Sequence, residues 1–282
     1  MRSLLLVPAT IAALSLVSAP LPAQDSLWLR PRLTVAPAAE GTPFFRERDL
    51  TVVVVASFAA IELGHYDTRI ARWTQTSSVQ GDSSRLRLVK KFTKANETTL
   101  TAAALVGYAV GRVAHATTLT DVSAHVGEAL LLTNVVSQAI RGPFGRARPY
   151  VTHDDNNSDF HVRKGFTSYD YRSLPSLHAA SAFAAASALT AEMEEHHSGV
   201  THVVAPLLFT AALIPGFTRM YLDQHWASDV AMGAFVGTFL GAKVVHHAHR
   251  NTRNRLDRML LGATVQPLDR GGVALGWHSD VP

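Results

Sequence analysis

Seven candidate helices dominate this chain, most with an apolar face, and none alternates between polar and apolar positions as a half-buried strand would. They cover about residues 49–63, 68–76, 97–116, 120–140, 178–195, 200–214 and 225–249, and polar positions such as Glu62, Arg112, His125 and Glu128 interrupt their apolar faces. The pattern predicts an all-α helical bundle. Strand-like sequence occurs only in the tail, where Leu260–Val265 and Val273–Trp277 flank Gly271-Gly272 and predict a short C-terminal β-hairpin. With 282 residues, of which 47% are hydrophobic and 17% charged, the chain is long enough to bury one sizeable core.

The N-terminus reads as an address. Met1-Arg2, an apolar run from Leu4 to Val17 and the small residues up to Ala23 have the form of a secretory signal peptide cleaved near Ala23. The domain reading is therefore a signal peptide over 1–23, a Pro-rich tether over 24–46, a helical domain over 47–250, and a basic linker with the hairpin tail over 251–282. An exported protein of the periplasm or cell envelope is expected. The longest apolar stretches, 203–217 and 230–242, fall short of about eighteen residues and contain Pro206, Pro215 or several glycines. This favours a soluble or peripherally attached domain over an integral one. Gly233, Gly237 and Gly241 recur every four residues, the spacing of a face on which another helix can approach closely, in a bilayer or in a soluble bundle.

Three short segments carry the chemistry. They are Arg141-Gly-Pro-Phe-Gly-Arg-Ala-Arg148-Pro149, then Pro175-Ser176-Leu177-His178, then Arg219-Met-Tyr-Leu-Asp-Gln-His225-Trp-Ala-Ser-Asp229. Three arginines can surround a phosphate, a serine hydroxyl and turn amides can bind its remaining oxygens, and two histidines can divide nucleophile and general-acid work. If 219–229 runs into a helix, His225 and Asp229 lie one turn apart on one face, where the carboxylate fixes the imidazole tautomer and supports its developing charge. Pro149 pushes Arg148 toward extended geometry near a helix end. Ser176 reads as a helix start, whose free N–H groups favour an anion. The polar stretch from Thr152 to Ser173 reads as a rim or lid loop.

Taken in order, the three segments resemble the signature of the type 2 phosphatidic acid phosphatase and vanadium haloperoxidase superfamily over roughly residues 120–245. The resemblance implies a helical bundle of that type, with His225 as the nucleophile forming a phosphohistidine and His178 as the acid that protonates the leaving oxygen. It also implies that Asp229 orients His225, and that Arg141, Arg148, Ser176 and Arg219 hold the phosphate. Arg141 stands where the family has Lys, Leu177 where it has Gly, and Thr218 where it has Ser; none of these changes removes a catalytic atom. No metal or cofactor is expected, and vanadate is expected as an inhibitor.

The expected function is hydrolysis of phosphomonoesters, with lipid phosphates or related envelope phosphates as favoured partners and peripheral or integral membrane association possible. Three alternatives stand beside it: a periplasmic acid phosphatase acting on soluble esters, a haloperoxidase using vanadate as cofactor, and a non-catalytic envelope protein. The net charge of +4 suits anionic substrates or an anionic membrane surface, while nothing resembles a nucleic-acid-binding motif. The absence of cysteine excludes disulfides and thiolate chemistry. Among the fourteen histidines, His246, His247 and His249 with Arg250 read as a solvated helix end rather than a metal site, and His196-His197 after Glu194-Glu195 reads the same way.

Overall fold

The computed structural model describes residues 43–81, 83–251, 263–267 and 273–277. The expected signal peptide and most of the expected tether lie outside these. Nine α-helices are found among the described residues: α1 (Glu47–Gly64), α2 (Asp67–Thr74), α3 (Ser77–Gln80), α4 (Ser83–Phe92), α5 (Glu97–Val113), α6 (Thr117–Phe144), α7 (Leu177–Glu195), α8 (Thr201–Tyr221) and α9 (Ala227–Arg250). Strands β1 (Ala263–Pro267) and β2 (Val273–Trp277) pair antiparallel with Ala263 opposite Trp277, and the turn around 271–272 lies outside the described residues.

Helix α7 is the hub, with α6, α8 and α9 packed around it. Its alanine-rich sequence favours helix and presents small side chains on every face, so Ala179, Ala180, Ala184 and Ala188 are fully buried. The tightest partner is α9. A Cβ built on Gly237 would fall 2.1 Å from the Ala180 carbonyl oxygen, and those on Gly233 and Gly241 would lie 2.4 and 2.5 Å from the carbonyls of Ser176 and Ala184. The four-residue glycine spacing is thus the ridge on which α9 meets α7 inside this chain. Gly237→Val is expected to cost about 3 kcal/mol or more, since backbone rather than a flexible side chain must yield; a thermal-unfolding midpoint unchanged from wild type would contradict this.

Several elements run differently from the sequence reading. Helices α3 and α4 were not anticipated, because Ser83–Phe92 is polar and basic and shows too narrow an apolar stripe. Helix α8 continues through Pro206 and Pro215 to Tyr221, well past the expected end near 214. Helix α6 ends at Phe144, before the arginine-proline pair. Gly145 takes the left-handed conformation (φ 55°, ψ 47°) that closes it, and a Cβ there would lie 1.9 Å from the His161 carbonyl oxygen.

The longer helices correct the expectation that the apolar stretches are too short to span a bilayer. Helices α8 and α9 are each long and apolar enough to cross a membrane, and α1 and α2, bent by 58° at their junction, meet the same criterion as a pair. Prolines inside such helices are tolerated where neighbours and side-chain hydroxyls re-satisfy the backbone. Large apolar side chains on α1, α5 and α8 face outward, among them Ile61 (61% exposed), Leu105 (63%) and Leu207 (64%).

Candidate active site

All seven residues singled out in the sequence gather at one end of the bundle. Arg141 comes from the last turn of α6, Arg148 from the loop after it, Ser176 and His178 from the start of α7, Arg219 from the end of α8, and His225 and Asp229 from the junction into α9. The α8–α9 junction differs from a continuous helix. His225 precedes the helix, Trp226 is its N-cap, and Asp229 caps the first turn by accepting the Trp226 backbone N–H at 2.9 Å. Helix capping, rather than one helical face, therefore brings the i and i+4 residues together. Trp226 is fully buried and donates its indole N–H to the Ala147 carbonyl at 2.9 Å, which ties this junction to the arginine loop.

Asp229 is heavily engaged. It accepts from the Ser173 hydroxyl at 2.5 Å and from Arg146 Nη1 at 2.6 Å, and its Oδ2 lies 3.7 Å from His225 Nδ1. That separation is ion-pair range, outside a hydrogen bond, and Nδ1 has no hydrogen-bond partner among the described residues. A modest closure would give the orienting bond.

Arg146, one of the arginines of the first segment, has no role in the sequence reading. It is buried between two carboxylates, bonding Asp67 Oδ2 at 2.8 Å as well as Asp229. Burial works against its charge, but Asp229 and Asp67 outweigh that and hold its pKa above the usual arginine value. Asp67 in turn accepts the Ser228 backbone N–H at 2.9 Å. No local signal points to Asp67, which is 79 residues from Arg146 in sequence.

The other three arginines are placed differently. Arg141, Arg148 and Arg219 are each at least nine-tenths buried, and none has a carboxylate within 4.0 Å among the described residues. Their hydrogen bonds go to neutral oxygens instead. Arg141 bonds the Arg172 carbonyl at 2.9 Å through Nε and 2.5 Å through Nη2. Arg148 bonds the Tyr169 and Gln224 carbonyls at 3.0 and 2.9 Å, and Gln224 Oε1 accepts from both Arg148 and Arg219 at 3.1 Å. Arg219 also donates to the Tyr169 hydroxyl at 3.2 Å. Burial, with Arg219 adding to it, holds Arg148 below its usual pKa. Ser176 caps α7 by position alone: its hydroxyl makes no capping bond, and Ser176 Oγ and Arg219 Nε are both buried without a hydrogen-bond partner among the described residues.

The segment between the first two motifs is strapped over this end by main-chain bonds, including Ala147 N–H to Asp159 O at 2.9 Å and Arg163 N–H to Pro143 O at 2.8 Å. It presents Phe160, Phe166 and Tyr169 to the outside.

His178 faces the same cluster, with Nδ1 3.4 Å from Oε2 of Glu97, the first residue of α5 and a second participant that sequence reading missed. Both imidazoles feel Arg141 and Arg148. Complete burial holds His225 well below the usual histidine range against the pull of Asp229, and the two arginines add to the burial. Burial, then Arg219, Arg141 and Arg148, push His178 down to about 3. Both rings are therefore neutral at pH 7 while no anion is bound.

A dianion placed among the arginines cancels the field that suppresses His178 and raises its pKa. Sulfate, which does not titrate near neutrality, should accordingly bind with uptake of up to about one proton, and its affinity should fall as pH rises through the anion-bound pKa of His178. Calorimetry in buffers of different ionisation enthalpy measures this. A zero slope, or one unchanged in His178→Ala, would exclude it.

Among known families, the PAP2 superfamily model matches residues 123–253. No curated protein and no solved structure is a significant match.

Proposed function

Residues 123–253 belong to the PAP2 superfamily, and from that premise we propose that the chain hydrolyses phosphomonoesters in two steps through a phosphohistidine, with lipid phosphates as its preferred substrates. The observation that carries the reading is the set of three buried guanidiniums without carboxylate partners, beside a buried serine hydroxyl and two imidazoles. Burying cations is costly unless an opposite charge compensates them, and a tetrahedral oxyanion does so with bidentate geometry.

In the first step His225 Nε2 attacks phosphorus in line while Asp229 holds Nδ1–H. The P–O bond to the leaving group breaks, the arginines stabilise the equatorial oxygens, and His178 delivers its proton to the departing alkoxide. In the second step His178, now neutral, takes a proton from water, which attacks the phosphohistidine; the P–N bond breaks and inorganic phosphate leaves. Each proton lent by His178 is regained, so the cycle closes. Glu97, within ion-pair range of His178 Nδ1, orients that ring. No step is routed through a metal or cofactor, and vanadate acts as an inhibitor by occupying the oxyanion position.

The lipid preference draws support from the two helices able to cross a membrane, the outward apolar side chains of α1, α5 and α8, and the exposed aromatic side chains of the segment strapped over the arginine end. Membrane insertion through α8 and α9, and export directed by the N-terminal segment, belong to this proposal.

Phosphate release from detergent-dispersed phosphatidate should exceed that from a small soluble aryl phosphate at least about tenfold in kcat/KM, a margin worth about 1.4 kcal/mol of transition-state binding. Equal or reversed rates would overturn the lipid preference. No release from either substrate, with folded protein confirmed, would overturn phosphatase activity itself.

A further inference from the structure

At the end of the bundle opposite the arginines, three of the helices that carry the site residues bring histidines and a carboxylate together. His125 lies in the third turn of α6, Glu192 near the end of α7 and His249 in the last turn of α9. Counted along the helices, they sit about 20–30 Å from Arg141, His178 and Asp229 on the same three elements. His125 Nδ1 is 2.5 Å from Glu192 Oε1, and His249 Nε2 is 3.2 Å from Oε2 and 3.3 Å from Oε1. His196 Nε2 adds a third imidazole at 3.5 Å from Oε2. One potential ligand atom each from His125, Glu192 and His249 lies within 4.8 Å of the other two. His249 and His196 are exposed at helix ends, as the sequence suggests, but both also turn onto Glu192, whose side chain is only 2% exposed.

We propose that His125, Glu192 and His249 form a binding site for a divalent transition-metal ion of the zinc class, with His196 within reach as a fourth ligand. The donor set decides the class. Imidazole nitrogens with one carboxylate and no thiolate suit zinc and its neighbours, whereas calcium and magnesium require mainly oxygen ligands. The spacing agrees. Ligands at about 2.0–2.1 Å from a tetrahedral ion lie about 3.3 Å from one another, which the His249–Glu192 pair already satisfies. The His125–Glu192 pair must open by about 0.8 Å as the ion replaces the proton they share. Access exists, because the His249 side chain is 28% exposed while those of His125 and Glu192 are 5% and 2% exposed. Asp121, one turn before His125 on α6, faces the whole group electrostatically and supplies further negative charge. An ion held here ties α6, α7 and α9 together at the end remote from the pocket, so it stabilises the fold without taking part in hydrolysis.

The test uses the full chain, purified without a histidine tag and stripped with a chelator. Elemental analysis after zinc loading and gel filtration should give about one zinc per chain, with a rise of several degrees in the unfolding midpoint. Cobalt loading should produce the intense visible absorption of a tetrahedral site. His249→Ala, at the most exposed of the three principal ligands, should fold and keep phosphatase turnover near wild type at room temperature, but lose the cobalt spectrum and the zinc-dependent shift. His197→Ala, a neighbouring control, should keep both.

Zinc bound well below one per chain, or stoichiometric zinc and an unchanged cobalt spectrum in His249→Ala, would overturn the site. A midpoint that follows pH and ignores zinc would overturn it too, and would identify the cluster as histidines sharing protons with a carboxylate.

Discussion

His225→Ala is expected to lower kcat on a phosphomonoester by about 10⁴-fold or more, because the proposed reaction loses the atom that bonds to phosphorus. Binding of sulfate should change by only a few-fold, since the three arginines and Ser176 that hold the oxyanion remain. That split between turnover and affinity separates loss of a nucleophile from collapse of the pocket. Asp229→Asn should fall between, with about 10²–10⁴-fold lower kcat, because the amide loses the charge that supports the imidazole as its nitrogen becomes positive. Rapid-quench detection of an acid-labile phosphoenzyme provides a second readout. His225→Ala retaining more than about a tenth of wild-type kcat would exclude this residue as the nucleophile.

Arg146→Met should have the largest effect on stability. The variant leaves Asp67 and Asp229 as neighbouring buried carboxylates with no cation between them, where the wild type has bonds of 2.8 and 2.6 Å. Removing one member of a buried ionic network costs about 3–5 kcal/mol, most of it the penalty on the charges left behind. Asp67→Asn introduced into Arg146→Met should therefore recover part of the loss, although Asp67→Asn alone should destabilise. Denaturant midpoints for the four proteins of this cycle measure the coupling. A loss below about 1 kcal/mol in Arg146→Met would mean that the network contributes little to folding. Turnover should fall as well, because the carboxylate that Arg146 holds is the one facing His225.

These two experiments touch different kinds of information in the chain. The proposed nucleophile, His225, was legible as a candidate because its evidence is local: an arginine, a histidine and an aspartate at fixed spacing, accompanied by two other short segments that carry the remaining arginines, the serine and the second histidine. Helix α7 was legible for a similar reason, since an alanine-rich run after Pro-Ser both favours helix and announces where it starts. Arg146 was visible only as part of a pattern. Its partner Asp67 arrives from α2 across 79 residues, and Glu97 reaches His178 from the start of α5 across 81, and no periodicity encodes such meetings. The histidines near 196 and 249 show the same limit from the other side. Read locally they are polar helix ends; in the fold they share Glu192.

The sequence by itself determined which chemical groups are present and how each short segment presents them, because helical period, capping residues and proline restriction act over a few residues. Tertiary structure alone decided the charge balance among the four arginines. Arg146 is neutralised by two carboxylates, while Arg141, Arg148 and Arg219 are buried against carbonyl, amide and phenol oxygens. That distinction depends on which distant side chains the glycine-lined contact of α9 with α7 carries to one end of the bundle. Coulomb interactions in a buried site follow distance in space, and distance in space is set by packing.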